Sequence, residues 1–198
     1  MLTIVWDVDD VLNDLMRSWW QWSWLPSHPD IRVRYEDLFE NPPHRILGIA
    51  ESEYLESLDE FRLSARAAEM IPNADVVDWF RANGHMFRHI ALTARPTHTI
   101  PNIAQWVFRH FGAHIRLFGF VPGRSLKPEP VYDHNKAEFL EWLHLGDVLV
   151  DDSETNVREA RRLGLQGIVY PRPWNEGRGK KPGDVLQTLH EIRMEPKE

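Results

Sequence analysis

Leu2-Thr3-Ile4-Val5-Trp6 runs directly into Asp7-Val8-Asp9-Asp10-Val11, and this junction constrains the chain more than any other stretch. Five mostly β-branched or apolar residues without polar alternation predict a strand covered on both faces, as parallel strands inside an α/β sheet are. Three carboxylates then crowd its C-terminal end, the edge at which open α/β sheets bind ligands. Like charges this close raise one another's pKa and cost stability unless a cation or proton sits among them. Asp7 and Asp9 fall on the same side of an extended chain, and oxygen-only ligands favour Mg²⁺ over zinc. The plain alternative is a solvated acidic turn or a helix N-cap.

Beyond the junction, Leu12 to Trp24 is compatible with a helix carrying Trp19, Trp20, Trp22 and Trp24. Indoles at that density either pack a lid or core or stack on a planar ligand, with Trp20 and Trp24 as the candidate ligand contacts and Tyr35 and Phe39 as weaker ones. Pro26, Pro29, Pro42 and Pro43 break the following stretch, leaving short helices near Tyr35–Phe39 and Glu51–Ala67. Residues 13–72 are therefore expected to be a small helical cap over the strand ends, and residues 1–12 with 73–198 the core domain.

From Asn73 onward helix and strand alternate. A helix through Val76, Trp79 and Phe80 stops at Asn83-Gly84, and the strand His89-Ile90-Ala91-Leu92 ends at Thr93-Ala94-Arg95-Pro96. A helix with Ile103, Val107, Phe108 and Phe111 leads to a strand at Ile115–Val121. After Lys127-Pro128-Glu129-Pro130 come a helix with Phe139, Leu140 and Leu143, then Val148-Leu149-Val150 ending at Asp151-Asp152. A helix over Asn156–Leu163, a strand at Gly167–Tyr170 and a helix near Val185–Ile192 complete the pattern. Such alternation calls for a parallel sheet with helices on both faces.

The 198 residues suffice for one core plus a small lobe. A formal charge of −7 without clustered Lys and Arg argues against a nucleic-acid polymer as partner. The absence of cysteine excludes thiolate chemistry, and no P-loop or Gly-x-Gly-x-x-Gly is present. The first residues lack a signal-peptide pattern and no apolar run reaches membrane-spanning length, so no membrane partner and a cytoplasmic location are expected. His85/His89 and His110/His114 have i, i+4 spacing, but the first pair straddles a strand and the second spans Gly112, so both are taken as ordinary polar residues.

Three strands thus end in polar signals at Asp7/Asp9, Thr93 and Asp151/Asp152, which a parallel sheet brings to one crevice. The order Asp-x-Asp, apolar strand plus Thr, Lys, then Asp-Asp resembles the haloacid dehalogenase-like (HAD) hydrolases. Thr93-Ala94-Arg95-Pro96, Val150-Asp151-Asp152 and Pro171-Arg172-Pro173-Trp174-Asn175 are most similar to the 5'(3')-deoxyribonucleotidase type. The resemblance implies a HAD-like Rossmannoid α/β/α fold and Mg²⁺-dependent hydrolysis of a small phosphate monoester through an aspartyl-phosphate. Asp7 would be the nucleophile and Asp9 the general acid and base. Mg²⁺ would be held by Asp7, the Asp9 carbonyl, Asp151 and Asp152, while Thr93 and the Ala94 amide would bind the phosphoryl group. Lys136 or Lys127 would neutralise charge shared by Asp7 and the phosphate; Lys136 is preferred because it opens a helix whose amides can face the same anion. Arg95 and the Arg172–Asn175 loop would offer donors to the substrate, ranked as a nucleoside monophosphate ahead of a sugar phosphate or other small phosphorylated metabolite. Asp10 and the tryptophan-rich segment depart from the nucleotidase pattern.

Two other classes are distinguishable. A phosphoacceptor receiver domain places its Lys after all its acids, whereas Lys136 precedes Asp151-Asp152. A catalytically silent HAD-like ligand-binding protein would lack Asp7 or Asp9, and both are present. Oligomeric state is not legible.

Overall fold

The computed structural model describes residues 1–125 and 130–194, so Lys127 lies outside the described residues. Its sheet has five parallel strands, β1 (Thr3–Trp6), β2 (Arg88–Arg95), β3 (Ile115–Pro122), β4 (Val148–Asp151) and β5 (Gln166–Val169), in the order β3-β2-β1-β4-β5. β1 is central, with β2 on one side and β4 on the other, and connections diverging from a central strand open a crevice at its C-terminal end. Asp7 follows β1 at that point.

The apolar run of β1 is explained by its two covered faces. Ile4 and Trp6 join a cluster with Ala91, Val148 and Val150, whereas Val5 points the other way into a cluster with Ile90, Leu92 and Leu149. The first face is covered by α6 (Ala74–Asn83), α7 (Ile100–Phe111) and α10 (Pro182–Met194), which contribute Phe80, Trp106 and Leu186. The second is covered by α8 (Lys136–Leu143) and α9 (Glu154–Arg162), through Leu140 and Ala160. These helices on both sides of an all-parallel sheet form a three-layer α/β/α architecture, as the sequence pattern predicts.

Between β1 and α6 the chain forms α1 (Leu15–Trp19), α2 (Leu25–Ser27), α3 (His44–Leu47), α4 (Glu51–Leu63) and α5 (Ala65–Ala68). Wider helical turns at Trp20–Trp24 join α1 to α2, so the tryptophan-rich stretch is helical as anticipated, though not as one regular helix. This segment has its own hydrophobic cluster, including Met16, Trp19, Trp20, Trp24, Tyr54 and Phe61. Its two ends meet at one residue: Asn73 donates its side-chain amide to the carbonyls of Val11 (2.6 Å) and Asn13 (2.8 Å), and its backbone N–H to that of Leu12 (2.9 Å). The segment therefore leaves and re-enters the sheet layers at the same place, beside the Asp7 loop.

Candidate active site

The loop after β1 is built by its own polar side chains. Asp10 has φ of 62°, a left-handed conformation that Asp tolerates better than β-branched residues. Its Oδ1 accepts the Met16 N–H at 3.0 Å, and the Asn13 Oδ1 accepts the N–H groups of Asp10 (3.2 Å) and Leu15 (3.0 Å). Asp10 and Asn13 thus satisfy amides at the start of α1 that the helix itself cannot. Burial, followed by repulsion from Asp14, pushes the Asp10 carboxyl up to about 8. Asp10 thus shapes the turn, although it also lines the cavity above the acids.

Asp7, Asp151 and Asp152 converge: one carboxylate oxygen of each lies within 4.8 Å of the others, and all three residues are buried. Lys136, at the start of α8, inserts its ammonium between them, 2.6 Å from Asp7 Oδ1 and 2.7 Å from Asp151 Oδ2. Asp7 Oδ1 also accepts the Val8 N–H at 2.7 Å. Asp151 is held further by the Ser153 N–H at 2.9 Å and by the Asn156 amide, 3.1 Å from each oxygen. Burial drives the Asp7 carboxyl well above the ordinary carboxylate range; Lys136 opposes the rise and Asp151 and Asp152 add to it. Burial and the Asp151 charge likewise push Asp152 up to about 7. Three buried carboxylates share a single ammonium among the described residues. Such an oxygen-only donor set fits a divalent cation such as Mg²⁺.

Asp9 faces away from this cluster. Its carboxylate is gripped by Arg95, with Nε 2.6 Å from Oδ2 and Nη2 on Oδ1, and the Arg62 guanidinium of α4 approaches to 3.8 Å. Burial alone would raise the Asp9 pKa, but Arg95 and then Arg62 outweigh it and hold the carboxyl below its ordinary value.

A cavity of about 440 Å³ opens above these groups. Asp7, Asp9, Thr93, Ala94, Lys136 and Asp152 all line it. The Thr93 hydroxyl is buried and has no hydrogen-bond partner among the described residues, which leaves it open to a ligand in the cavity. Gly123 permits the close approach of the β3 exit to β2: a Cβ there would stand 2.8 Å from the Ala94 carbonyl and the Arg95 backbone.

Several sequence expectations are corrected here. Trp20 and Trp24, at 3% and 2% exposure, do not line the cavity; they are the interior of the helical segment, Trp24 stacking on His28 at 3.7 Å. A short helical segment can make a core of its own only with large side chains, and these indoles supply it. Arg95 is buried on Asp9 rather than open to a ligand. Arg172 is likewise committed, donating to the Asp10 carbonyl (2.5 Å), the Asn13 carbonyl (3.3 Å) and the Asp14 carboxylate (3.0 Å). His89 is not an ordinary polar residue: it is buried, its Nδ1 accepting from the Trp6 indole at 3.1 Å and its Nε2 lying 2.8 Å from the Gly84 carbonyl. Arg62 and Asn156 are not among the sequence expectations, and Trp174 is there only as part of the Arg172–Asn175 loop, expected to meet substrate rather than Asp152. Of these only Asn156 had a local signal, lying in the first turn of the helix that follows Asp151-Asp152.

No protein-family model matches this chain, and no curated protein matches it by sequence. Solved structures do match over nearly its whole length. A haloacid dehalogenase-like family hydrolase from Streptococcus pneumoniae superposes with a TM-score of 0.62 at 16% identity, covering 96% of this chain and 98% of that one. A HAD-superfamily hydrolase of subfamily IA, variant 1, from Geobacter sulfurreducens gives 0.55 at 15% identity, covering 96% of each chain. A HAD-hydrolase from Bacillus subtilis, solved bound to magnesium, gives 0.57 at 13% identity, covering 96% of this chain and 97% of that one. At these identities the likeness establishes the fold: the chain has the HAD-like Rossmannoid architecture.

Proposed function

We propose that this protein is a Mg²⁺-dependent phosphate monoester hydrolase working through an aspartyl-phosphate on Asp7. The observation that carries the reading is the placement of Asp7, Lys136 and Asp152 on the floor of a cavity, with Asp151 buried behind them on Lys136, and a wall that includes the unpartnered Thr93 hydroxyl. In the first step the Asp7 carboxylate attacks phosphorus, the P–O ester bond breaks, and Asp9 gives a proton to the departing oxygen. In the second, water attacks the acyl phosphate, Asp9 takes its proton, and Asp7 and inorganic phosphate are released. Asp7, Asp151 and Asp152, with the Asp9 carbonyl, would hold the Mg²⁺, which supplies charge neutralisation for the phosphoryl oxygens. Lys136 holds Asp7 and Asp151 in place, and Thr93 with the Ala94 amide receives the phosphoryl oxygens.

Residues 13–72 act as a cap over the leaving group in this reading. The wall that they supply includes Leu15, Met16, Tyr54, Leu55 and Leu58, and Trp174 adds an aromatic face. A planar base can cover its faces on Trp174 and the aliphatic part of this wall, whereas the hydroxyls of a sugar would find polar partners there chiefly at Asn41 and Arg62. A nucleoside monophosphate is therefore the preferred substrate, above a sugar phosphate. Comparing kcat/KM for deoxynucleoside monophosphates and hexose phosphates, with Mg²⁺ and after chelation, tests both levels. The expected result is metal-dependent turnover that is faster on nucleotides and reduced by roughly a thousandfold or more in Asp7→Asn. Faster turnover of hexose phosphates would overturn the nucleotide preference alone; full activity of Asp7→Asn would overturn the mechanism.

A further inference from the structure

The turn that follows β5 reaches back to the acids at the end of β4. Asn175 fixes it, donating to the carbonyls of Tyr170 and Asp152, both at 2.8 Å, while its Oδ1 accepts the N–H groups of Arg172 (3.1 Å) and Gly177 (3.0 Å). The turn so held presents Trp174, whose indole N–H donates to Asp152 Oδ2 at 2.6 Å. An indole can only donate, so this bond holds the carboxylate in one rotation. Among the described residues nothing donates to Asp152 Oδ1. The ring itself is wedged: it packs on the hydrophobic cluster of the helical segment and meets Tyr35 edge-on, with centroids 6.2 Å apart at 81°. Its orientation is thus set independently of Asp152.

We propose that Trp174 is a positioning residue for the divalent cation, its indole N–H holding the Asp152 carboxylate in a ligand-ready orientation. The inference rests on the Mg²⁺ reading above and extends it to a side chain that touches neither metal nor phosphate. Groups that hydrogen-bond a metal's ligands change affinity by roughly tenfold to a hundredfold when removed.

The test is Mg²⁺ titration into the metal-free full chain by calorimetry, for wild type, Trp174→Phe and Trp174→His. Metal-free thermal melts serve as the check on folding. The Phe variant keeps an aromatic ring and loses the donor, so its Kd should rise about tenfold or more. The His variant restores a ring N–H and should recover part of that loss. Equal affinity in wild type and Trp174→Phe overturns the proposal. A His variant no better than Phe assigns the loss to packing and overturns it too. Wild type that binds no Mg²⁺ removes the metal reading itself, a distinguishable failure.

Discussion

Arg95 closes on both oxygens of Asp9 from a fully enclosed position, its side chain only 2% exposed. The two residues lie on adjacent strands' ends, and the planar guanidinium matches the carboxylate edge to edge. Arg95 thereby holds the Asp9 carboxyl below its ordinary value, the ionised form that the proposed mechanism uses to activate water. In that mechanism the protonated form is favoured when a phosphate's negative charge arrives beside it, since a like charge raises a carboxyl pKa.

Arg95→Lys keeps the charge and loses the fork. We expect kcat to fall by roughly tenfold to a hundredfold, part of the 10²–10⁴ that general acid–base catalysis supplies. The Mg²⁺ affinity should be unchanged, because the Asp9 side chain lies outside the three-carboxylate cluster. Steady-state kinetics with calorimetry on the same sample checks both halves, and a weakened metal affinity would show that Arg95 acts on the cluster instead.

Lys136 is the sole ammonium placed between Asp7 and Asp151 among the described residues. Lys136→Met leaves the acids uncompensated, and removing one partner of a buried ion pair costs about 3–5 kcal/mol. The metal-free variant should melt well below wild type, and Mg²⁺ should raise its melting temperature more than it raises that of wild type, since the cation then offsets more charge. Thermal melts across a Mg²⁺ series decide it; an equal Mg²⁺ increment in both proteins would contradict the shared-charge account.

Trp20 and Trp24 carry stability rather than selectivity. Truncating a buried tryptophan to alanine costs about 3–5 kcal/mol. Trp20→Ala and Trp24→Ala should therefore lower the denaturation midpoint strongly while leaving the ratio of kcat/KM between nucleotide and sugar substrates near its wild-type value. A change in that ratio at unchanged stability would place the indoles in the substrate site after all.

His89 makes the fold acid-sensitive. Burial pushes its pKa down to about 4 from an ordinary value of 6.5, and the Trp6 indole needs Nδ1 unprotonated. The unfolded chain takes up this proton first as pH falls, so the stability contributed by neutral His89 is complete above pH 6.5 and is lost progressively toward pH 4. His89→Gln can both accept from Trp6 and donate to Gly84, without titrating. Its melting temperature should fall less than that of wild type across the same interval, measured without metal; parallel curves would sink the assignment.

The sequence by itself determined the order of strands and helices, because a strand covered on both faces must be apolar throughout and a surface helix must be apolar every third or fourth residue. It also located the acids, since Asp7, Asp151 and Asp152 directly follow apolar runs, and it put Lys136 ahead of Lys127. Partner choice was beyond it. Whether Asp9 meets a metal or Arg95, whether Arg172 is free or spent on the Asp10 loop, and whether Trp20 faces a ligand or the interior depend on distances between residues far apart in the chain. Those distances are set only when the sheet brings β1, β2 and β4 together. The tertiary structure likewise decided that Arg62 of α4 leans toward Asp9 and that Trp174 reaches Asp152, for neither residue has a local pattern that marks its partner. Local periodicity encodes which face a residue occupies; the assembled strand ends decide which charge it meets there.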